Sequence, residues 1–540
     1  MRLGAAKLLM IGAGPTATET LKNLVLPGLG SFTVVDDKVV TAEDLSNNFF
    51  VESSSRGKPR AEVVKELLVE MNPDDCSGNA RVTDPVELIE NDEDFFRNFT
   101  IVIATQLSAQ PLQKLGALCW KLKLPLVVVR SYGYLGTLRL QLQLHEIIDS
   151  KPDPIANMNF DLRLAKPFAA LQALADSYDL DEMDDKDHSH TPYVILLLKC
   201  NAAWRATHGG ELPKTFAEKS KDYKALLKSM ERPFQPADPA AGVAGRLEEL
   251  NFKEALQFVF MAYRVKEITP ELQAVLEHAR STSLAAESSD FEFLSKALAG
   301  FMDAEGEGQP PLTGTIPDME SDNPKYVALL QVYQAKAAED VAAMHTRVVA
   351  LLEQQGRPTS GPQSISLEQT KAFCKSAWDL KLINTRTLAD EDARPLLDPE
   401  AKWDMDNEAL QKQTPMLWYI GLRAADRFYT ENGRYPGAIE NSTADEASLV
   451  RDTASVFDQM QAICMEQNIE VDTLYDSTEE LEKYAKEIVR FGAAELHNIA
   501  AVIGGVASQE AVKIIAKQFT PVNNTFIFNG IAGCAKTYNL

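Results

Sequence analysis

Cysteine is scarce in this chain: six residues in 540, with no two at C-x-x-C spacing. Cys76, Cys119, Cys200, Cys374, Cys464 and Cys534 are scattered. That argues against a zinc ribbon or a disulfide framework and fits a reducing compartment, cytoplasmic or nuclear. Cys200, Cys374 and Cys464 lie in apolar helical stretches, where a thiol packs and does not react. Histidine is nearly as rare, at seven. His188 and His190 stand at i, i+2 in Asp187–Pro192 with no third ligand close in sequence, so the stretch reads as capping for a helix over Tyr193–Trp204 and no metal site is expected. No apolar run approaches the roughly 18 residues that span a bilayer. Leu8–Ile11 enters a glycine turn without a cleavage site, which makes it a strand and not a signal peptide. Positive charge is also short: 54 basic against 78 acidic side chains leave a formal net charge of -24. Such a field repels phosphate backbones and anionic bilayers, so neither nucleic acid nor membrane is expected as a partner. Finally, there is no G-x-S-x-G, no Walker A lysine motif and no H-E-x-x-H.

What is present is an alternation of strand and helix signals. The apolar run Leu8–Ile11 ends in Gly12-Ala13-Gly14-Pro15; a helical pattern follows from Thr16 to Leu26, and Phe32–Val35 makes a second strand that stops at Asp36-Asp37. Thr100–Ala104 and Pro125–Val129 are further strands, with a helix over Gln110–Leu122 between them. Strands separated by helices imply a parallel sheet covered on both faces. The alternation in Tyr134–Gln143 predicts a partly antiparallel end. After Lys151-Pro152-Asp153-Pro154 the pattern becomes helical to about Tyr484. Its clearest helix covers Tyr326–Gln355, with Asn323 as cap and Pro324 at the first position, and Ser366–Gln369 has capping-box spacing for the next. The tail adds one small-residue helix over Ala493–Gln518, containing Gly504-Gly505, and a strand at Thr525–Phe528. Adjacent glycines inside a helix cost about 1 kcal/mol each against alanine, a cost that close packing on another backbone would offset. The architecture expected is one α/β domain made from both chain ends, with a large all-α insertion.

Gly12-Ala13-Gly14-Pro15-Thr16-Ala17 follows a strand and opens a helix, and Asp36 ends the next strand. In that setting the first glycine makes the turn, the second lets a phosphate approach the backbone, and the helix end favours anions. Two readings stay open from these residues: a bound nucleotide, or a turn kept for folding.

Leu8–Glu62 and Phe491–Leu540 resemble the adenylation domain of the enzymes that activate ubiquitin and its relatives. The strings that carry the likeness are Ile11–Ala17, "LKNLVLPGLGSFTVVDD" at Leu21–Asp37, "RGKPRAE" at Arg56–Glu62, and "FGAAELHNIAAVIGGVASQEAVKIIAKQF" at Phe491–Phe519. "YDLDEMDDKDHSHTPY" at Tyr178–Tyr193, "GTIPDM" at Gly314–Met319 and "GRYPG" at Gly433–Gly437 extend it over the whole chain. The full-length likeness is to regulatory subunits of the heterodimeric neddylation activating enzymes. The fold implied is a Rossmann-like pseudo-adenylation domain of the ThiF/MoeB type at 1–165 and 488–540, with a helical insertion at 166–487 that lacks the family's thioester cysteine. The partners implied are a catalytic subunit, which uses Mg-ATP, and a ubiquitin-like modifier. Measured against active members, Asn47 stands where an arginine contacts ATP, Arg60 where a lysine does, and Leu107 where an aspartate binds magnesium. The resemblance therefore implies a degenerate pocket at Gly12, Gly14, Asp36, Asn47, Arg60 and Leu107, with no catalytic residue, cofactor or metal of its own. Such subunits also open with an arm reading Y-D-R-Q-L-R-L-W-G, whose arginine reaches the partner's ATP. Here the sequence opens Met1-Arg2-Leu3-Gly4, and Arg2 stands too near the first strand to take that role. Two other functions fit less of the sequence. One is an NAD(P)-dependent oxidoreductase using Gly12, Gly14 and Asp36; the other is a helical adaptor with a vestigial Rossmann end.

Overall fold

The computed structural model describes residues 2–150, 160–236, 246, 248–393, 415–438, 446–469 and 478–540. They form two compact units, Met1–Ile147 with Ile383–Leu540, and Ile148–Leu382.

The first unit is built on an eight-stranded sheet: β1 (Lys7–Ile11), β2 (Ser31–Val35), β3 (Ser77–Arg81), β4 (Ile101–Thr105), β5 (Leu126–Tyr132), β6 (Leu135–Gln141), β7 (Thr525–Asn529) and β8 (Cys534–Tyr538), in the order β8-β7-β6-β5-β4-β1-β2-β3. The strands from β3 to β5 pair in parallel. β5, β6, β7 and β8 pair antiparallel, so the alternation at Tyr134–Gln143 has the expected consequence and both chain ends share one sheet. β1 and β4 lie at the centre and bury nearly every residue, which is why they read as unbroken apolar runs. Strand order reverses between them. That switch point is where open α/β sheets take ligands, and it is where the Gly12 turn sits.

Helices around this sheet include α1 (Pro15–Val25), α2 (Asp44–Asn47), α3 (Arg60–Val69), α4 (Ala109–Lys121), α5 (Pro415–Asn432), α6 (Glu446–Glu466), α7 (Thr478–Phe491) and α8 (His497–Ala516). Leu21, Leu24, Val64, Leu68, Ile503 and Ala507 from α1, α3 and α8 form one apolar layer with Leu8, Met10 and Val34. Leu115 and Cys119 of α4 pack with Leu9, Ile11 and Val102 in another. A third joins α5, α6 and α7, through Trp418, Met460 and Ile488, to Tyr132, Ile527 and Tyr538 of the sheet. The compact helical unit, Ile148–Leu382, does not coincide with the expected insertion at 166–487, because the helices after residue 415 bury their faces on the sheet.

α8 begins at His497, four residues later than its composition suggests. Ala493 takes a left-handed φ of 61°, the Gly133 N–H donates to the Ala494 carbonyl at 2.8 Å, and Glu495 bridges Gly133, so the preceding residues follow the sheet instead. The two helix glycines also differ. A Cβ on Gly504 would lie 3.0 Å from the Thr20 amide nitrogen of α1, whereas one on Gly505 would meet nothing within 4 Å. By length and hydropathy α8 could cross a membrane, contrary to the sequence expectation. It sits instead as a core helix, with Ile499, Ile503, Ala507, Ala511 and Ile514 buried. Arg2 donates to the Ala516 carbonyl at its C-terminal end, where cationic groups are favoured.

The second unit is mostly helical. Its longest helix, Asn323–Gln354, contributes Leu329 and Tyr333 to one apolar cluster and Met344, Val348 and Leu352 to another. Its cap is Asp322, which accepts the Lys325 N–H at 2.9 Å, and not Asn323, which is already helical. The Ser366–Gln369 capping box forms as expected. The histidine pair does not cap the helix at Tyr193, whose N-cap is Pro192 without a side-chain bond. His188 belongs to its own short turn, capped by Asp184, and is buried against Glu249 at 2.6 Å. Cys200 and Cys374, in this unit, and Cys464 in the sheet unit are buried. Burial pushes their thiols up to about 12, 12 and 11, so none is a ready nucleophile.

Candidate functional site

The turn after β1 is dictated by its glycines. Gly12 holds φ +97°, and a Cβ there would lie 2.4 Å from Thr105 Oγ1. Gly14 is the N-cap of α1 and Pro15 its first residue, the position where a missing N–H costs nothing. The first turn of a helix leaves amides that point outward and attract an anion. Here the group that meets them comes from the other end of the chain. Glu495 Oε2 accepts the Thr16 amide at 3.1 Å and the Thr16 hydroxyl at 2.5 Å, and that hydroxyl lies 2.7 Å from Ser131 Oγ. A Cβ on Gly14 would lie 2.5 Å from Glu495 Oε1. The second glycine thus makes room for a carboxyl group where the motif makes room for phosphate. Burial raises the Glu495 pKa, and the Thr16 bonds with nearby Arg60 and Lys38 act against that rise.

Around this carboxyl group the other candidate residues are already paired. Asp36, at the end of β2, accepts the Ala13 amide at 2.9 Å, the Lys38 amide at 2.8 Å and the Arg60 guanidinium at 2.7 Å. Arg60, the first residue of α3, also reaches Asp44 of α2 at 2.8 Å. Burial alone would lower the Arg60 pKa; Asp36 and Asp44 overcome it and hold the guanidinium charged. Asn47, the last residue of α2, donates to the Glu495 carbonyl at 3.0 Å. Gly12, Gly14, Asp36, Asn47 and Arg60 therefore lie together around the turn after β1.

Leu107 does not join them. It follows β4, packs with the α4 layer and lines a separate cavity of about 380 Å³ beside Arg130 and Asp426, themselves paired at 2.8 Å. Glu495 is the residue that sequence reasoning passed over. Its signal was that it is the only carboxylate in Gly492–Ser508, a stretch of otherwise small, apolar and uncharged polar residues apart from His497.

The residues present do not fit Mg-ATP as built. A phosphate at Gly14 and the Glu495 carboxyl group would claim the same Thr16 amide, and Leu107, which lines a separate cavity, offers a magnesium ion no oxygen. Among the described residues no cluster of three His, Cys, Asp or Glu side chains could hold a metal. The model of the ThiF family matches residues 1–537.

The chain belongs to the ThiF family.

Among its relatives, the NEDD8-activating enzyme E1 regulatory subunit of Xenopus laevis is 38% identical over 538 residues, covering 100% of this chain and 95% of that one. The protein of Arabidopsis thaliana named NEDD8-activating enzyme E1 regulatory subunit AXL is 38% identical over 530 residues, covering 98% and 94%. The corresponding subunit of Saccharomyces cerevisiae is 23% identical over 551 residues, covering 100% and 96%. Membership in this family overturns the oxidoreductase reading of Gly12, Gly14 and Asp36. The turn that suggested a dinucleotide is common ground between the two classes, and only its surroundings separate them.

Proposed function

We propose that this chain is the regulatory subunit of an activating enzyme for a NEDD8-type ubiquitin-like modifier, the role its relatives' names carry. On this reading a separate catalytic subunit adenylates the modifier's C terminus with Mg-ATP and takes it as a thioester. This chain supplies half of a pseudo-symmetric α/β dimer, and its helical unit lines the groove for the modifier. A cytoplasmic or nuclear setting goes with that role.

The observation that carries the division of labour is the Glu495 carboxyl group on the Thr16 amide. A helix N-terminus whose Thr16 donors are taken by an internal acid has lost them for offsetting charge developing on an α-phosphate, and such electrostatic offset is usually the largest single contribution to a step of this kind. The test is ATP–pyrophosphate exchange. The purified chain with modifier is expected to stay at the buffer background, and adding the catalytic subunit restores exchange. Robust exchange by the chain and modifier alone would overturn the reading.

A further inference from the structure

The helical unit contains a cavity of about 420 Å³ whose apolar wall includes Phe168, Phe260 and Met261. That volume lies in the range of small-ligand sites. Charged groups surround it, and nearly all cancel in pairs. Arg163 holds Asp161 at 3.0 Å, Lys166 holds Glu307, Arg347 holds Glu305 at 2.6 Å, and Lys336 holds Asp340 at 2.7 Å. Arg264 has contacts of its own, and its charge also bears on Lys266.

Lys266 is the exception. Its ammonium lies 4.4 Å from the centre of the Trp378 ring, with no carboxylate at ion-pairing distance among the described residues. Burial lowers its pKa and Arg264 adds to that, while Asp379 and Asp161 act the other way from beyond ion-pairing distance. Its backbone is tied in place, since Gln309 donates to the Lys266 carbonyl at 3.5 Å. Beside it Val265 is 55% exposed at the mouth.

We propose that this cavity binds a single carboxylate carried on an aromatic-sized apolar body, with Lys266 as its counter-ion. A cation without a carboxylate partner calls for a negative charge, and a monoanion costs less to bury there than a phosphate dianion. The rings of Phe168 and Phe260 offer the apolar body offset or edge contacts. Two sources share this chemistry, the free C terminus of a peptide ending in an aromatic residue and a small arylalkanoic acid. The competing account is that Lys266 only covers Trp378 with its stem and cation.

Calorimetric titration of the full chain separates these accounts. The probes are 3-phenylpropionate with its neutral amide, and the peptide Gly-Gly-Ala-Phe with a free or an amidated C terminus. At least one free acid is expected to bind tenfold or more tighter than its amide. K266M should erase that preference, K266R should keep most of it, and K228M, on an exposed helix face outside the cavity, should leave it unchanged, all with folded, cooperatively melting protein. Stronger binding of the free-acid peptide than of 3-phenylpropionate assigns the site to peptide C termini, and the reverse order to small acids. Equal binding of acids and amides, no binding of any probe, or a preference that survives K266M overturns the proposal.

Discussion

Gly14 lacks the one atom that would collide with Glu495, since a Cβ there would lie 2.5 Å from Oε1. The carboxyl group cannot simply swing aside, because Thr16 holds it through both its amide and its hydroxyl. Gly14→Ala is therefore expected to destabilise the sheet unit by about 1–3 kcal/mol, the usual cost of overpacking. Glu495→Ala should cost about 1–3 kcal/mol by leaving the Thr16 amide without its acceptor. In the double variant the added methyl enters space the glutamate has left, so the two losses should fall short of their sum by about 1 kcal/mol or more. Urea unfolding of the four members of this cycle measures the coupling. Strict additivity would mean that Gly14 is conserving backbone shape alone. The same scale explains why Arg60 is a poor ligand for phosphate here: Asp36 and Asp44 already neutralise it.

At the scale of elements, α1 and α8 show how little of a contact a glycine pair reveals. Gly504 and Gly505 are equivalent in sequence, yet only Gly504 faces the α1 backbone. Gly504→Ala should lose about 1–3 kcal/mol, because the Thr20 amide nitrogen is part of a helix and must move. Gly505→Ala should gain about 1 kcal/mol in the isolated chain, since it meets nothing and improves helix propensity. Thermal unfolding of the two variants, opposite in sign, checks the assignment. The central strands and the first turn were legible because burial on both faces writes itself as continuous apolar runs in β1 and β4. β3 was not: Ser77-Gly78-Asn79-Ala80-Arg81 lies at the sheet edge, pairs through its backbone and carries no apolar pattern. The candidate site divides the same way. Gly12, Gly14 and Asp36 were readable from local spacing, and Asn47 and Arg60 only through resemblance. Glu495 was hidden because its role depends on a contact made across almost the whole sequence.

For the whole molecule, the question is which stretch of chain holds a complete core. The sequence pattern reads as mostly helical to about Tyr484, and the resemblance implies an insertion ending at residue 487. Apolar contacts place the end of the helical unit at Leu382. Leu162 and Leu164 belong to the core of the helical unit, as do Phe252, Leu329 and Tyr333. Trp418, Met460 and Ile488 instead pack on Tyr132, Ile527 and Tyr538. A fragment spanning 148–382 retains both clusters of the helical unit entire. A fragment spanning 166–487 loses Leu162 and Leu164 and exposes the faces of α5, α6 and α7 that the sheet should cover. With stability normally only about 5–15 kcal/mol, and each exposed large apolar side chain forfeiting about 1.5–3 kcal/mol of burial, the second fragment cannot remain a cooperative monomer. The first is expected to unfold in one sharp urea transition and to resist limited trypsin digestion, while the second aggregates or is cut back toward residue 382. Equal cooperativity in both fragments would mean that α5, α6 and α7 belong with the helical unit after all.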